Sequence, residues 1–157
     1  MTFKVFISSS VLDSTVANEL KNNLERYGII SVLSPNNEAM SLPYEQFVRN
    51  QIQTSDCLLA IMGKGGSRLE NVNYELGMAV ALNKIVLPFV EKGSNIPQFL
   101  AQKAFIVFDR DNPRLSYERT AQYLNQLKIE KEKRDSIGGL LLLGLGIILL
   151  GALASSE

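Results

Sequence analysis

The sequence predicts an α/β domain on a five-stranded parallel sheet, followed by one apolar helix. Three observations lead there: five short apolar runs, helical periodicity between them, and 18 consecutive residues without a polar side chain, Ile137 to Ala154. The apolar runs are Phe3 to Ser8, Ile29 to Ser34, Cys57 to Met62, Ile85 to Val90 and Ala104 to Phe108. Their starts at positions 3, 29, 57, 85 and 104 leave intervals long enough for crossover helices, as repeated βαβ units require. This order implies a doubly wound, flavodoxin-like sheet whose ligand crevice lies beyond the carboxyl ends of the strands.

The first helix is framed by Asp13 or Ser14 as N-cap and Gly28 as stop, with Ala17, Leu20, Leu24 and Tyr27 on one face. Pro43 opens the second, with Phe47, Val48 and Ile52 inward. The third runs from about Val72 to Asn83. A last amphipathic helix repeats Tyr117, Ala121, Leu124 and Leu127 and continues through the charged segment Lys128 to Asp135. Residues 1–127 are thus read as the domain, 128–136 as a charged helical connector and 137–154 as a transmembrane helix.

That last assignment rests on length and composition. Eighteen residues at about 1.5 Å each reach about 27 Å, close to the hydrocarbon thickness of a bilayer. Five glycines and eleven Leu or Ile leave the run no polar face. The chain opens on a strand-like run rather than a basic segment and a long apolar one, so a tail anchor is expected and a signal peptide is not. Arg119, Lys128, Lys131, Lys133 and Arg134 precede the run while only Ser155, Ser156 and Glu157 follow it, which places the domain on the cytoplasmic side. Gly139 with Gly146 and Gly144 with Gly151 stand two turns apart, where helix backbones can approach in a homo-oligomer; glycine is also simply common in membrane helices.

Composition narrows the chemistry. Sixteen basic and 16 acidic side chains cancel, and a pI near 6.3 offers nucleic acid no basic face. With no His there is no imidazole base, no Ser-His-Asp relay and no histidine metal site. One Cys allows neither a disulfide nor a thiolate zinc cluster, and suits a reducing compartment. Catalysis is therefore expected from carboxylates, hydroxyls, amides, Lys, Arg and backbone.

The crevice loops hold the candidates. Ser8, Ser9 and Ser10 follow the first strand and serve either as hydroxyl donors to a ligand or as turn and cap residues. Gly63 to Arg68 brings backbone amides and two cations, Lys64 and Arg68, toward an anion without the spacing of a Walker A loop; a plain turn is the alternative. Glu75 stands near the start of a largely apolar helix facing the crevice. The helix dipole favours a first-turn carboxylate by roughly 0.3 to 1 kcal/mol, so position alone assigns it no role.

From Phe3 to about Leu127 the chain resembles bacterial Toll/interleukin-1 receptor (TIR) domains. Lys4-Val5-Phe6-Ile7-Ser8-Ser9-Ser10 is similar to the family's first strand and loop. Phe47 to Met62 resembles its second helix and third strand, and Asn71 to Phe89 the segment holding its glutamate and fourth strand. The resemblance implies a site where Glu75 contacts the ribose hydroxyls of NAD as nicotinamide departs and positive charge develops on the sugar. Such chemistry needs a carboxylate and neither metal nor His, so the resemblance implies no metal and no resident cofactor, with NAD as substrate. Phe6, Ser8, Ser9, Ser10 and Asn71 become candidate substrate contacts, with Lys64 and Arg68 beside them. The resemblance also implies an assembly loop at Asn36, Asn37 and Glu38, and an active site completed between subunits. One position departs: catalytic members often carry an aromatic residue four places before the glutamate, where this chain has Asn71.

The expected protein is a bacterial inner-membrane enzyme that hydrolyses NAD or cyclises its ADP-ribose in antiviral defence. Its expected partners are NAD, lipid and further copies of itself. A noncatalytic scaffold acting through homotypic contacts is the alternative that Asn71 supports. A nucleoside deoxyribosyltransferase-like enzyme is a third reading, disfavoured by the anchor.

Overall fold

The computed structural model describes residues 2–35, 42–64, 70–96, 98–100 and 105–137. Among these, five parallel strands form one sheet in the order β2-β1-β3-β4-β5: β1 (Lys4–Ser8), β2 (Ile30–Leu33), β3 (Cys57–Met62), β4 (Ile85–Glu91) and β5 (Ile106–Phe108). The four helices are α1 (Ser14–Glu25), α2 (Leu42–Gln53), α3 (Glu70–Ala81) and α4 (Arg114–Ile137). The sheet order is the doubly wound one expected.

Strand alternation sorts the core into two layers. Val5, Ile7, Leu59, Ile61, Leu87 and Phe89 pack with Leu20 and Leu24 of α1 and Ala121 and Leu124 of α4. Phe6, Leu58, Ala60 and Met62 face the other way, against Val48 and Ile52 of α2 and Val72 and Leu76 of α3. β3 is buried along its whole length, which is why it reads as an unbroken apolar run.

Two local expectations, the inward face of α2 and the bounds of α3, are corrected, whereas Asp13 and Gly28 stand at the ends of α1 as expected. Phe47 is 42% exposed, because the inward stripe of α2 is Tyr44, Val48 and Ile52 at four-residue spacing and Phe47 falls one position off it. Helix α3 begins at Glu70 and ends at Ala81; Asn83, at φ 57°, takes the left-handed conformation that closes it. Asp13 stands at the N-cap of α1 without making a cap hydrogen bond, and a single 3₁₀ turn, Val11–Asp13, precedes it. Gly28 ends the turn after α1 at φ 70°, where a Cβ would be strained.

Helix α4 runs without a break across the expected domain–connector boundary. Its charged stretch is tied back to the domain: Lys128 Nζ donates to the Tyr27 carbonyl at 2.9 Å, and Lys131 Nζ to Asp56 Oδ1 at 2.8 Å. Among the described residues no helix is long and apolar enough to cross a membrane; residues 138–154 of the apolar run lie outside them.

Candidate active site

The carboxyl ends of β1 and β2 meet α2 and α3 around one acid. Glu75 shares the core-facing stripe of α3 with Val72, Leu76 and Ala79, so helical periodicity carries it inward, and it is only 1% exposed. Strand alternation brings hydroxyls to the same layer. Ser8 follows Phe6 by two residues on β1, and Ser34 follows Val32 by two just past β2. The Ser34 backbone N–H donates to the Ile7 carbonyl at 2.8 Å, which extends the ladder and fixes the serine beside β1. Tyr44, in the first turn of α2, closes the ring.

All three hydroxyls donate to the carboxylate. Ser34 Oγ lies 2.5 and 2.9 Å from the two Glu75 oxygens, Tyr44 OH 3.1 Å from Oε1 and Ser8 Oγ 3.2 Å from Oε2. Burial disfavours the charge and these donors oppose it only in part, so Glu75 is raised from 4.5 to about 7. The Tyr44 phenol is pushed up by burial and by the charge of Glu75. The site is thus a buried carboxyl group, raised toward neutrality, within a cradle of three hydroxyls, the kind of perturbed acid that clusters at functional sites.

The remaining candidates are distributed otherwise. Phe6 is fully buried as core in the same layer as the acid. Ser9 is buried, and Ser10 Oγ donates to Asp13 at 3.3 Å in the turn that leads into α1. Asn71 is half-buried in the first turn of α3, one helical turn before Glu75. Lys64 contributes its backbone N–H to Glu91 Oε1 at 3.0 Å while its side chain is exposed. Arg68 and the assembly-loop residues Asn36, Asn37 and Glu38 lie outside the described residues. Sequence reasoning missed Ser34 and Tyr44. The available signal was that the second apolar run ends in a hydroxyl at the crevice end, as the first does.

A second polar cluster braces the same end of the sheet. Arg110, just past β5, donates to Asp13 Oδ1 at 2.6 Å and to both Glu91 oxygens at 2.8 and 3.0 Å, with its guanidinium 5.6 Å from the centre of the Phe108 ring. Asp13 is 2% exposed and Arg110 is 41% exposed on its side chain, so this is a buried acid held by a half-solvated cation. Arg110 holds Glu91 below the usual carboxylate range. A Cβ at Gly63 would lie 2.7 Å from both Asp13 oxygens, so a side chain there would push the carboxylate out of its place beside Arg110. Among the described residues no group of three or more Cys, Asp or Glu is placed to hold a metal ion.

Residues 5–125 match the TIR domain family. No curated protein sequence matches. Among solved structures, the TIR domain of a Toll-related receptor from Hydra magnipapillata superposes at a TM-score of 0.63 with 17% identity, covering 80% of this chain and 99% of that one. A CMP N-glycosidase from Clostridium botulinum aligns at 0.55 with 17% identity over 72% of this chain and 96% of its own. A 2-deoxyribosyltransferase from Bacillus psychrosaccharolyticus aligns at 0.54 with 20% identity over 66% and 85%. At these identities the likeness is one of fold.

Proposed function

This chain belongs to the TIR domain family, and from that premise we propose that it cleaves the nicotinamide–ribose bond of NAD, with Glu75 as the catalytic carboxylate. The observation that carries the proposal is the buried Glu75, ringed by Ser8, Ser34 and Tyr44 at the carboxyl ends of the strands. The substrate's leaving group is a pyridinium, which takes the bonding electron pair and departs as neutral nicotinamide, so no general acid is needed. Positive charge passes to the ribose, where an adjacent carboxylate stabilises it. Water completes hydrolysis, giving ADP-ribose and a proton; attack by the adenine of the same molecule gives the cyclic product. The ribose hydroxyls would take over acceptor sites on Glu75 now served by the protein's hydroxyls.

The same fold accommodates glycosidic chemistry in the deoxyribosyltransferase and the N-glycosidase named above, so the proposal asks nothing unusual of it. The wider reading places the domain in bacterial antiviral defence, held at the inner membrane by residues 137–154 and activated when copies assemble through the loop of Asn36, Asn37 and Glu38. A scaffold without catalysis is the second reading, favoured by Asn71 at the position one turn before Glu75. Incubating the full chain in detergent with NAD, and separating nicotinamide, ADP-ribose and cyclic ADP-ribose, tests the choice. Released nicotinamide supports the enzyme; none at any protein concentration supports the scaffold.

A further inference from the structure

Glu75 has no open face. It is 1% exposed, and each carboxylate oxygen already meets two protein hydroxyls, Ser34 and Tyr44 at Oε1, Ser34 and Ser8 at Oε2. For a sugar to reach the acid, one of these three side chains must leave. Two of them are pinned by the sheet. β1 lies between β2 and β3, and Ser8 stands opposite Ala60 of β3. The Ser34 backbone N–H bonds the Ile7 carbonyl, which ties the second serine to the same strand. Removing either would mean moving a strand. Tyr44 is held differently. It lies in the first turn of α2, whose leading N–H groups have no acceptor within the helix and whose second residue, Pro43, has no N–H to give. Among the described residues 42–47 only Tyr44 is buried, while Leu42, Pro43, Gln46 and Phe47 are exposed. Glu45 is half-buried and accepts from the Tyr74 hydroxyl of α3. The Tyr44 hydroxyl, which also meets Ser34, is therefore the latch on the least tethered part of the wall.

A phenol on a carboxylate presents what the proposed substrate brings, a ring bearing a hydroxyl donor. We propose that Tyr44 occupies the sugar's place in a closed, self-blocked site, and that the first turn of α2 swings out to admit the ribose. This rests on the proposed NAD reaction for the identity of the sugar. A ribose hydroxyl then donates to Glu75 Oε1 in place of the Tyr44 hydroxyl, while Ser8 and Ser34 keep the carboxylate in its plane. No covalent bond changes in this exchange; one donor replaces another. NAD binds only the open fraction of molecules, so its apparent affinity is lowered by that fraction. A ligand without a sugar hydroxyl has nothing to set against the lost Tyr44 bond, so the gate also favours ribosides over free bases.

Tyr44→Phe keeps the ring and removes the latch, and two readouts on the full chain in nonionic detergent test the gate. The first needs no NAD. Carboxyl groups are esterified with a water-soluble diazo reagent at pH 5.5, where Glu75 keeps its proton, and the esters are read residue by residue by peptide mass spectrometry. Relative to the exposed Glu132, Glu75 should be labelled at least about threefold faster in the variant, as the loss of one neutral hydrogen bond allows. Asp13, buried against Arg110, should be labelled no faster than in the parent. The second readout is kinetic. At pH 8.5, with Glu75 ionised in both proteins, the latch is charge-assisted, so its loss should lower KM for NAD about tenfold and leave kcat within about twofold. Equal labelling of Glu75 in the two proteins overturns the gate, as does a KM unchanged or raised in Tyr44→Phe. Asp13 accelerated as much as Glu75 would mean general unfolding and overturns it too. A parent that releases no nicotinamide removes the NAD reading and leaves the labelling to decide the gate, whereas equal labelling in a parent that cleaves NAD removes the gate alone.

Discussion

Neutralising the buried acid without changing its shape should stabilise the fold. In Glu75→Gln a carboxylate becomes an amide of nearly the same volume among Ser8, Ser34 and Tyr44. Burial raises Glu75 from 4.5 to about 7, so above neutrality the folded chain holds a charge that the unfolded chain hydrates freely. Between those two values the native side chain keeps its proton and the unfolded one does not. Stability therefore falls as pH rises across the window, and the full contribution is gone above it. The shift is worth roughly 3 kcal/mol at pH 8. Gln still accepts from the hydroxyls but without charge assistance, so the expected net gain is about 2 to 3 kcal/mol. For a chain of this size that is roughly 4 to 10 °C in Tm. Calorimetry of parent and variant in nonionic detergent at pH 8 and pH 4.5 should show the gain at the higher pH and almost none at the lower. A variant less stable than the parent at pH 8, or a gain undiminished at pH 4.5, would refute the account of the site's electrostatics.

Three further outcomes are expected. If ionised Glu75 is the working form, kcat/KM for NAD should rise with pH through about 7, and Tyr44→Phe, which removes a bond favouring the charge, should move that limb to higher pH; a limb unmoved in the variant would count against the assignment. Arg110→Ala leaves Asp13 buried without its cation and should lower stability by about 2 kcal/mol, discounted for the half-exposed guanidinium, as read from urea midpoints at pH 7; an unchanged midpoint would show the cluster to be idle. Deleting residues 137–157 should leave a folded domain whose activity at nanomolar protein drops by about tenfold or more, because confinement no longer concentrates domains that must pair. An unrelated monomeric membrane span in its place separates confinement from a direct contact between the glycines.

The five strands and their order were legible because each buried strand of a doubly wound sheet is a short apolar run, most plainly β3, which is covered on both faces. The acid was legible as an anomaly in an apolar helix. Its partners were not, since residues 8, 34, 44 and 75 converge only once the sheet is assembled, and no local spacing links them. Tyr44 was hidden behind Phe47, a more apolar residue one position off the inward stripe of α2. Asp13 reads as a helix cap because caps are set by local sequence, whereas the residue that claims its carboxylate, Arg110, is 97 positions away.

In the proposed reaction Glu75 acts on NAD through its charge and not through its packing. Nicotinamide release by the full chain and by Glu75→Gln, at equal concentration in the same detergent and with thermal unfolding recorded on the same samples, tests it most directly. The account predicts that the parent releases nicotinamide and that the variant, at least as stable, releases none above background. A folded Glu75→Gln protein that turns over NAD at the parent's rate would contradict it.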